Sequence, residues 1–399
     1  MTKKRQSAPR GFTLIEVLIA ATISLIVLSM AVVVGVQLQR RGYMEERTVE
    51  TQNAARAARD LIASSVQRAG AGAGSLPLAV GTNGAGSTDL RYAVWPVTNA
   101  QFTDGGFAQP TGQYAGLTSD ALELWETDPG VLIPLKTCDG TSSPWVGNKL
   151  CTSVAPPNSM LGRVAAVVAP EPSSRTAVCL GVIGTLDQAV NPPGDRDYGL
   201  LWTPGLPGNA LPGGHPCSSY PASTNGTVWG AADIYLMPLT ARSFRVNWTG
   251  GQPALELDPD GFTGNQGYAT VSREIEQLKV RMGVMNPEST DGGVLYFPDP
   301  AAARPALDQC THALCAPLVT WDAGVALAGN DGPGSARDEL MKRVRMVEVD
   351  ITARSQRMDV AGQTSADGGV DSDGNLMDGY KRRHTVIRLA PRNFGYSGF

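Results

Sequence analysis

The sequence predicts an α+β fold: one long N-terminal helix leading into an antiparallel, β-rich head. Three observations carry this reading. The 25 residues from Phe12 to Val36 hold a single charge, Glu16. Helix-favouring composition then continues without proline to Arg68. Past residue 69, short alternating apolar segments take over, in a chain that holds 46 glycines and 28 prolines among 399 residues. That density of turn formers disfavours a helical bundle, and a 42% hydrophobic content is enough for a real core.

The first segment, residues 1–11, carries Lys3, Lys4, Arg5 and Arg10 and no acid. The second, residues 12–36, would run roughly 37 Å as a helix, enough to cross a hydrocarbon layer of ~30 Å. No other segment is as long and apolar, which speaks against a polytopic membrane protein. The basic cluster precedes the apolar run, so the N-terminus is expected on the cytoplasmic side. A secretory signal would place its cleavage site after the apolar run; here the notable junction, Gly11-Phe12, lies before it.

The third segment, residues 37–69, keeps helical spacing through Val49, Ala54, Ala58, Leu61, Ile62 and Ser65 or Val66. It should leave the membrane and lay this face against the head, ending at the glycine-rich run Gly70-Ala-Gly-Ala-Gly74. Those glycines follow a helix rather than a strand, which argues against a phosphate loop.

The head, residues 70–399, offers strands over Leu90–Trp95, Ala121–Trp125, Val131–Leu135, Val164–Val168, Val178–Ile183, Ile234–Leu239, Phe244–Trp248, Leu278–Val284, Val294–Phe297, Val344–Ile351 and Thr385–Leu389. Ser335 and Asp338 have the spacing of a capping box before a short helix from Ala336 to about Lys342. The stretch 98–230 is dense in Pro, Gly and Ser and reads as loop-rich insertions on a smaller sheet core.

The tract Arg10-Gly-Phe-Thr-Leu-Ile-Glu16, behind its basic leader and ahead of the apolar run, closely resembles the prepilin leader of type IV pilins and type II secretion pseudopilins. The resemblance implies a pilin-like fold. It also implies cleavage after Gly11 by a prepilin peptidase and N-methylation of the new first residue, Phe12. Glu16 would pair with the N-terminal amine of a neighbouring subunit. A carboxylate so placed is costly in a bilayer unless paired or solvated.

Further islands narrow the likeness. The helix stretch Gln52–Gly70, the strands at Asp120–Leu124, Ile275–Gly283 and Arg343–Val349, and the closing Arg382–Asn393 are similar to PilW-type minor pilins. That family implies partners: the major pilin, other minor pilins, a PilY-type tip adhesin and an inner-membrane assembly platform. The role implied is priming of pilus assembly and a place near the pilus tip, in support of motility and adhesion. The chain would sit in the bacterial inner membrane before assembly and on the pilus afterwards. A head of about 330 residues exceeds a common domain size and suits a position with nothing stacked above it. The alternatives are a J-like minor pseudopilin of type II secretion and a signal-anchored periplasmic enzyme.

The head holds all six cysteines, Cys138, Cys151, Cys179, Cys217, Cys310 and Cys315, an even count that reads as disulfides in an oxidising compartment. Pairing the near neighbours, Cys138 with Cys151 and Cys310 with Cys315, leaves Cys179 with Cys217, one among the many pairings six cysteines allow. A metal site around Cys310, His312 and Cys315 is the competing reading. The remaining histidines, His215 and His384, sit in no catalytic pattern, so no enzyme activity and no resident cofactor is expected. One small-ligand candidate stands out. Asp371, Asp373 and Asn375, with Asp378 beyond, alternate like the first ligands of a calcium loop, but Arg382 occupies the place of its closing Glu. A solvated acidic turn is the other reading of that segment. Net charge is −4, and removal of the four leader cations makes the rest more acidic still. Nucleic-acid binding is not expected on that balance.

Overall fold

The architecture comes from a computed structural model. The structure describes residues 12–71, 74–75, 77–82, 88–102, 106–128, 130–138, 144–146, 149–168, 178–190, 196–206, 209–210, 234–259, 267–288, 293–322, 325–329, 331, 334–356, 358, 370 and 376–392. It is an α+β fold: a long apolar N-terminal helix followed by antiparallel sheets.

Helix α1 (Leu14–Arg68) is 55 residues long, or roughly 82 Å at 1.5 Å per residue. Thr13 caps it, and Gly42 passes inside it without a break. It stops where Ala69 closes on Ser65 and Val66, and Gly70 follows at φ +79°, a left-handed conformation that glycine adopts without strain. The Gly70 N–H donates to the Trp125 carbonyl at 2.8 Å, tying the helix end to the head.

Only the second half of α1 is packed. Thr51, Ala55, Ala58, Ile62, Ser65 and Val66 are buried, at spacings of three and four that place them on one face. Small side chains at most of these positions let the helix lie close to the sheet. The expected seam is therefore rotated: Val49 is exposed, and Ala54 and Leu61 are only half-buried at its margin.

Strands β1 (Leu78–Thr82), β2 (Thr88–Arg91), β3 (Val94–Val97), β4 (Ala121–Thr127), β5 (Ile133–Pro134), β6 (Trp145–Val146), β7 (Lys149–Thr152), β8 (Val164–Val168), β9 (Val178–Val190), β10 (Arg196–Leu206) and β11 (Asn209–Ala210) come first. They are followed by β12 (Tyr235–Asn247), β13 (Ala254–Asp258), β14 (Ala269–Ser272), β15 (Ile275–Met285) and β16 (Val294–Phe297). Helices α2 (His312–Cys315) and α3 (Ala336–Lys342) precede β17 (Val344–Arg354) and β18 (Arg382–Leu389). Among the described residues β1–β14 form one sheet, and a second runs β16-β15-β17-β18, antiparallel throughout.

Strand β12 organises the large sheet. Its first half pairs with β5 and β8, and its second half with β4 and β13. The two expected strands Ile234–Leu239 and Phe244–Trp248 are thus one continuous strand. The stretch 98–230, expected to be loop-rich, also supplies β4 to β11, including the long β9–β10 hairpin.

The four-stranded sheet shows clean alternation. Leu278, Val280 and Met282 of β15 face Ile351, Val349 and Val347 of β17, and all six are buried in one core with the helix seam. The opposite face carries Lys279, Arg281, Glu348 and Asp350. The free edge of β15 is taken by the start of β4. Asp120 N–H donates to Leu278 O at 2.8 Å, and its carboxylate accepts from Val280 N–H at 2.8 Å. Asp120 is thereby buried with its hydrogen bonds made and links the two sheets.

Candidate functional site

The first half of α1 is the most unusual surface of the molecule. Leu14, Ile19, Leu25, Leu28, Met30 and Val33 are each more than half exposed. Water does not support so continuous an apolar surface, so this segment requires a lipid or protein environment. Among the described residues α1 is the one helix long and apolar enough to cross a membrane.

At its tip, Thr13 and Glu16 form a reciprocal capping box. The Glu16 carboxylate accepts from Thr13 N–H at 3.0 Å and from Thr13 Oγ1 at 3.1 Å, while Glu16 N–H donates back to Thr13 Oγ1 at 3.4 Å. The carboxylate is folded onto the helix entrance rather than extended. Phe12, adjacent, is exposed. Gly11 and the rest of the leader lie outside the described residues. Thr13 is a site residue that the sequence reading passed over, although Thr-x-x-Glu ahead of an apolar run is a capping signature.

The cysteines and the acidic loop fall as follows. Cys138 is disulfide-bonded to Cys151, and Cys310 to Cys315. The second bond removes Cys310 and Cys315 as thiolate ligands, which overturns the metal reading around His312. The pairing of Cys179 with Cys217 lies outside the described residues, as do His215, Asp371, Asp373 and Asn375. Asp378 is described, and both its oxygens are bonded to Arg382, each at 2.7 Å. Tyr114 Oη and Tyr380 N–H add two more donors at 3.1 Å. Burial works against charge on Asp378, but these donors outweigh it and hold its pKa below the ordinary carboxylate value. Among the described residues no group of three or more His, Cys, Asp or Glu is placed to hold a metal ion.

His312 donates its backbone N–H to Asp331 at 2.6 Å, and His384 Nδ1 lies 3.1 Å from Thr352 Oγ1.

Comparison with known proteins gives one family match: residues 7–32 match the prokaryotic N-terminal methylation motif. No curated protein and no solved structure matches the chain. The motif covers the last residues before Phe12 and the start of α1, with Gly11, Phe12, Thr13 and Glu16 inside it. It supports a type IV pilin-like protein, a pilin or a pseudopilin, and implies processing by a prepilin peptidase. Together with the apolar helix it fits membrane anchoring before assembly.

Proposed function

We propose that this chain is a PilW-like minor pilin that helps prime type IV pilus assembly and sits at or near the pilus tip. The observation that carries the reading is a methylation motif at the entrance of a helix whose first half is bare and whose second half is fused to a large head. In the membrane, lipid covers the bare half. On extraction, the apolar helices of neighbouring subunits replace the lipid, so the same surface serves both states. Cleavage after Gly11 would create a free amine at Phe12, one residue before Thr13 and within reach of a Glu16 carboxylate. A head of about 330 residues fits the end of a filament better than its shaft. The sequence islands at Ile275–Gly283 and Arg382–Asn393 favour the pilus over a secretion pseudopilin. The major pilin, other minor pilins, a PilY-type adhesin and the inner-membrane platform are the partners this role requires.

The test is an immunoblot of sheared pili beside the membrane fraction, with a prepilin-peptidase-null strain as control. Processed protein in the sheared fraction supports the minor-pilin reading. Processed protein confined to the membrane moves the assignment to a J-like pseudopilin. A chain of unchanged mass in the null strain and the parent overturns both.

A further inference from the structure

Strand β18 closes one end of the four-stranded sheet, whose order is β16-β15-β17-β18. It pairs with β17 along all eight of its residues, Arg382 to Leu389, without a register shift. Just before this ladder, Ser355 N–H donates to Lys381 O at 2.9 Å. Backbone groups alternate sides along an antiparallel strand. Counting on from Lys381, Thr385 and Ile387 turn theirs to β17, and Val386 and Arg388 turn theirs away from it. Among the described residues no strand or bridge pairs with that outer edge.

We infer that this edge takes up an acidic, extended segment of a neighbouring protein as an added strand. Native edges are blunted by brevity, a bulge, an inserted proline or charge; β18 has only the last. At the sheet's other end β16 is four residues long, whereas β18 runs eight in an unbroken ladder. Its centre, Thr385-Val-Ile387, is β-branched throughout, and Val386 is 55% exposed. The charge around this centre has one sign. The twelve residues Lys381–Arg392 hold five Lys or Arg, one His and no acid. Arg382 is spent on Glu276 and Asp378, and Arg388 on Glu348. Lys381, Arg383 and Arg392 are exposed and flank the centre on both sides, with no carboxylate paired to them among the described residues.

That charge decides the occupant. A second copy of β18 would set a basic edge against a basic edge, and like charges across a strand pair destabilise it. An acidic strand is attracted at both flanks, so the residues that bar self-pairing select the partner. The acids one strand further in do not cancel this. Glu348 is shared by Arg281 and Arg388, at 3.0 and 2.8 Å, and Asp350 stands opposite Val386, at the uncharged centre. The incoming strand therefore needs β-branched residues opposite Val386 and acids toward its ends. Backbone bonds supply the affinity and the flanking charges the choice. The edge is presented in a pilus and in a secretion assembly alike, so its occupancy does not depend on the role proposed above.

The experiment is fluorescence anisotropy of a labelled peptide, Glu-Glu-Thr-Val-Thr-Val-Thr-Glu-Glu, titrated with the full chain in uncharged detergent micelles. Its comparisons are the same peptide with Lys for every Glu, the acidic peptide N-methylated at alternate residues, and a chain carrying both Arg383→Glu and Arg392→Glu. The acidic peptide should bind, and its Lys counterpart should bind about tenfold more weakly or worse. N-methylation removes the N–H donors of one strand edge and should abolish binding. The double variant should prefer the Lys peptide. Both substituted residues are exposed, so its circular dichroism spectrum should match the parent's. The inference is overturned by no anisotropy change up to about 0.2 mM chain, by undiminished binding of the N-methylated peptide, by equal binding of the Lys peptide to the parent, or by a double variant that keeps its preference for acid.

Discussion

Arg382 is the position where a single substitution should do most damage to the head. Its guanidinium bonds Glu276 at 2.6 and 2.8 Å and Asp378 twice at 2.7 Å, and it donates to the Leu376 carbonyl at 2.9 Å. Glu276 is fully buried and Asp378 is 5% exposed. Arg382→Ala removes the cation and leaves two desolvated carboxylates, Glu276 with Arg354 at 3.5 Å and Asp378 with only the neutral donors Tyr114 Oη and Tyr380 N–H. Breaking a buried pair from one side costs about 3–5 kcal/mol. That is a large fraction of the stability of an ordinary domain, about 5–15 kcal/mol.

The pH dependence supplies a second, independent check. In the native protein Asp378 has a lowered pKa, so it contributes stability above its unfolded pKa of about 3.9, lost as pH falls through the lower folded value. Without Arg382, burial is opposed only by the neutral donors Tyr114 Oη and Tyr380 N–H, and the carboxylate pKa should rise. Protonation then relieves the variant earlier, so its deficit should shrink as pH drops from about 7 to about 4. Urea unfolding of the full chain in micelles can be followed by the buried Trp125 and Trp248. A deficit under about 1 kcal/mol at neutral pH, or one that does not change with pH, would refute the account.

Other consequences are simpler. Ile62→Ala empties a fully buried position in the helix seam and should cost about 2–5 kcal/mol in the same assay, while Val49→Ala, on the exposed face, should stay within about 0.5 kcal/mol. Gly11→Val should leave the leader attached, seen by intact mass as retention of residues 1–11. Iodoacetamide should label none of Cys138, Cys151, Cys310 or Cys315 in denaturant without reductant. Reduction should lower the unfolding midpoint, since the loop closed by Cys138–Cys151, 13 residues in separation, is one whose cross-link is worth about 3 kcal/mol.

The parts of the fold legible in sequence were those set by local period. Phe12–Val36 is apolar at every turn, and Val347, Val349 and Ile351 alternate with Glu348, Asp350 and Thr352, so helix and strand followed from side-chain geometry alone. Of the helix seam, Ala58, Ile62, Ser65 and Val66 were legible, whereas Val49 and Ala54 were read in place of Thr51 and Ala55, because small or polar residues are poor markers of burial and the strands that pack on α1, β17 and β18, lie nearly 300 residues or more further along the chain. Strand β10 was missed for a related reason. Its Gly199, Pro204 and Gly205 break the pattern of a strand, and its pairing with β9 supplies the order that propensity withholds. At the helix entrance the sequence held more than was taken from it, since Thr13 and Glu16 already had capping-box spacing.

That capping box bears on the assembly role proposed for Glu16. An extended carboxylate at the lipid-facing end of α1 would expose its charge along the helix flank, where desolvation is costly. Folded onto Thr13, it satisfies helix-entrance donors and keeps the charge at the terminus, where the macrodipole favours it. Subunit docking then need not desolvate a free carboxylate; it need only exchange one donor for another. Thr13→Val should therefore weaken filament incorporation while leaving the head intact, because it removes the hydroxyl that holds Glu16 but touches no residue of the seam. Sheared-pilus yield against total protein reads this directly. Wild-type yield in Thr13→Val with loss in Glu16→Val would show that the carboxylate acts without its intrahelical hydroxyl partner.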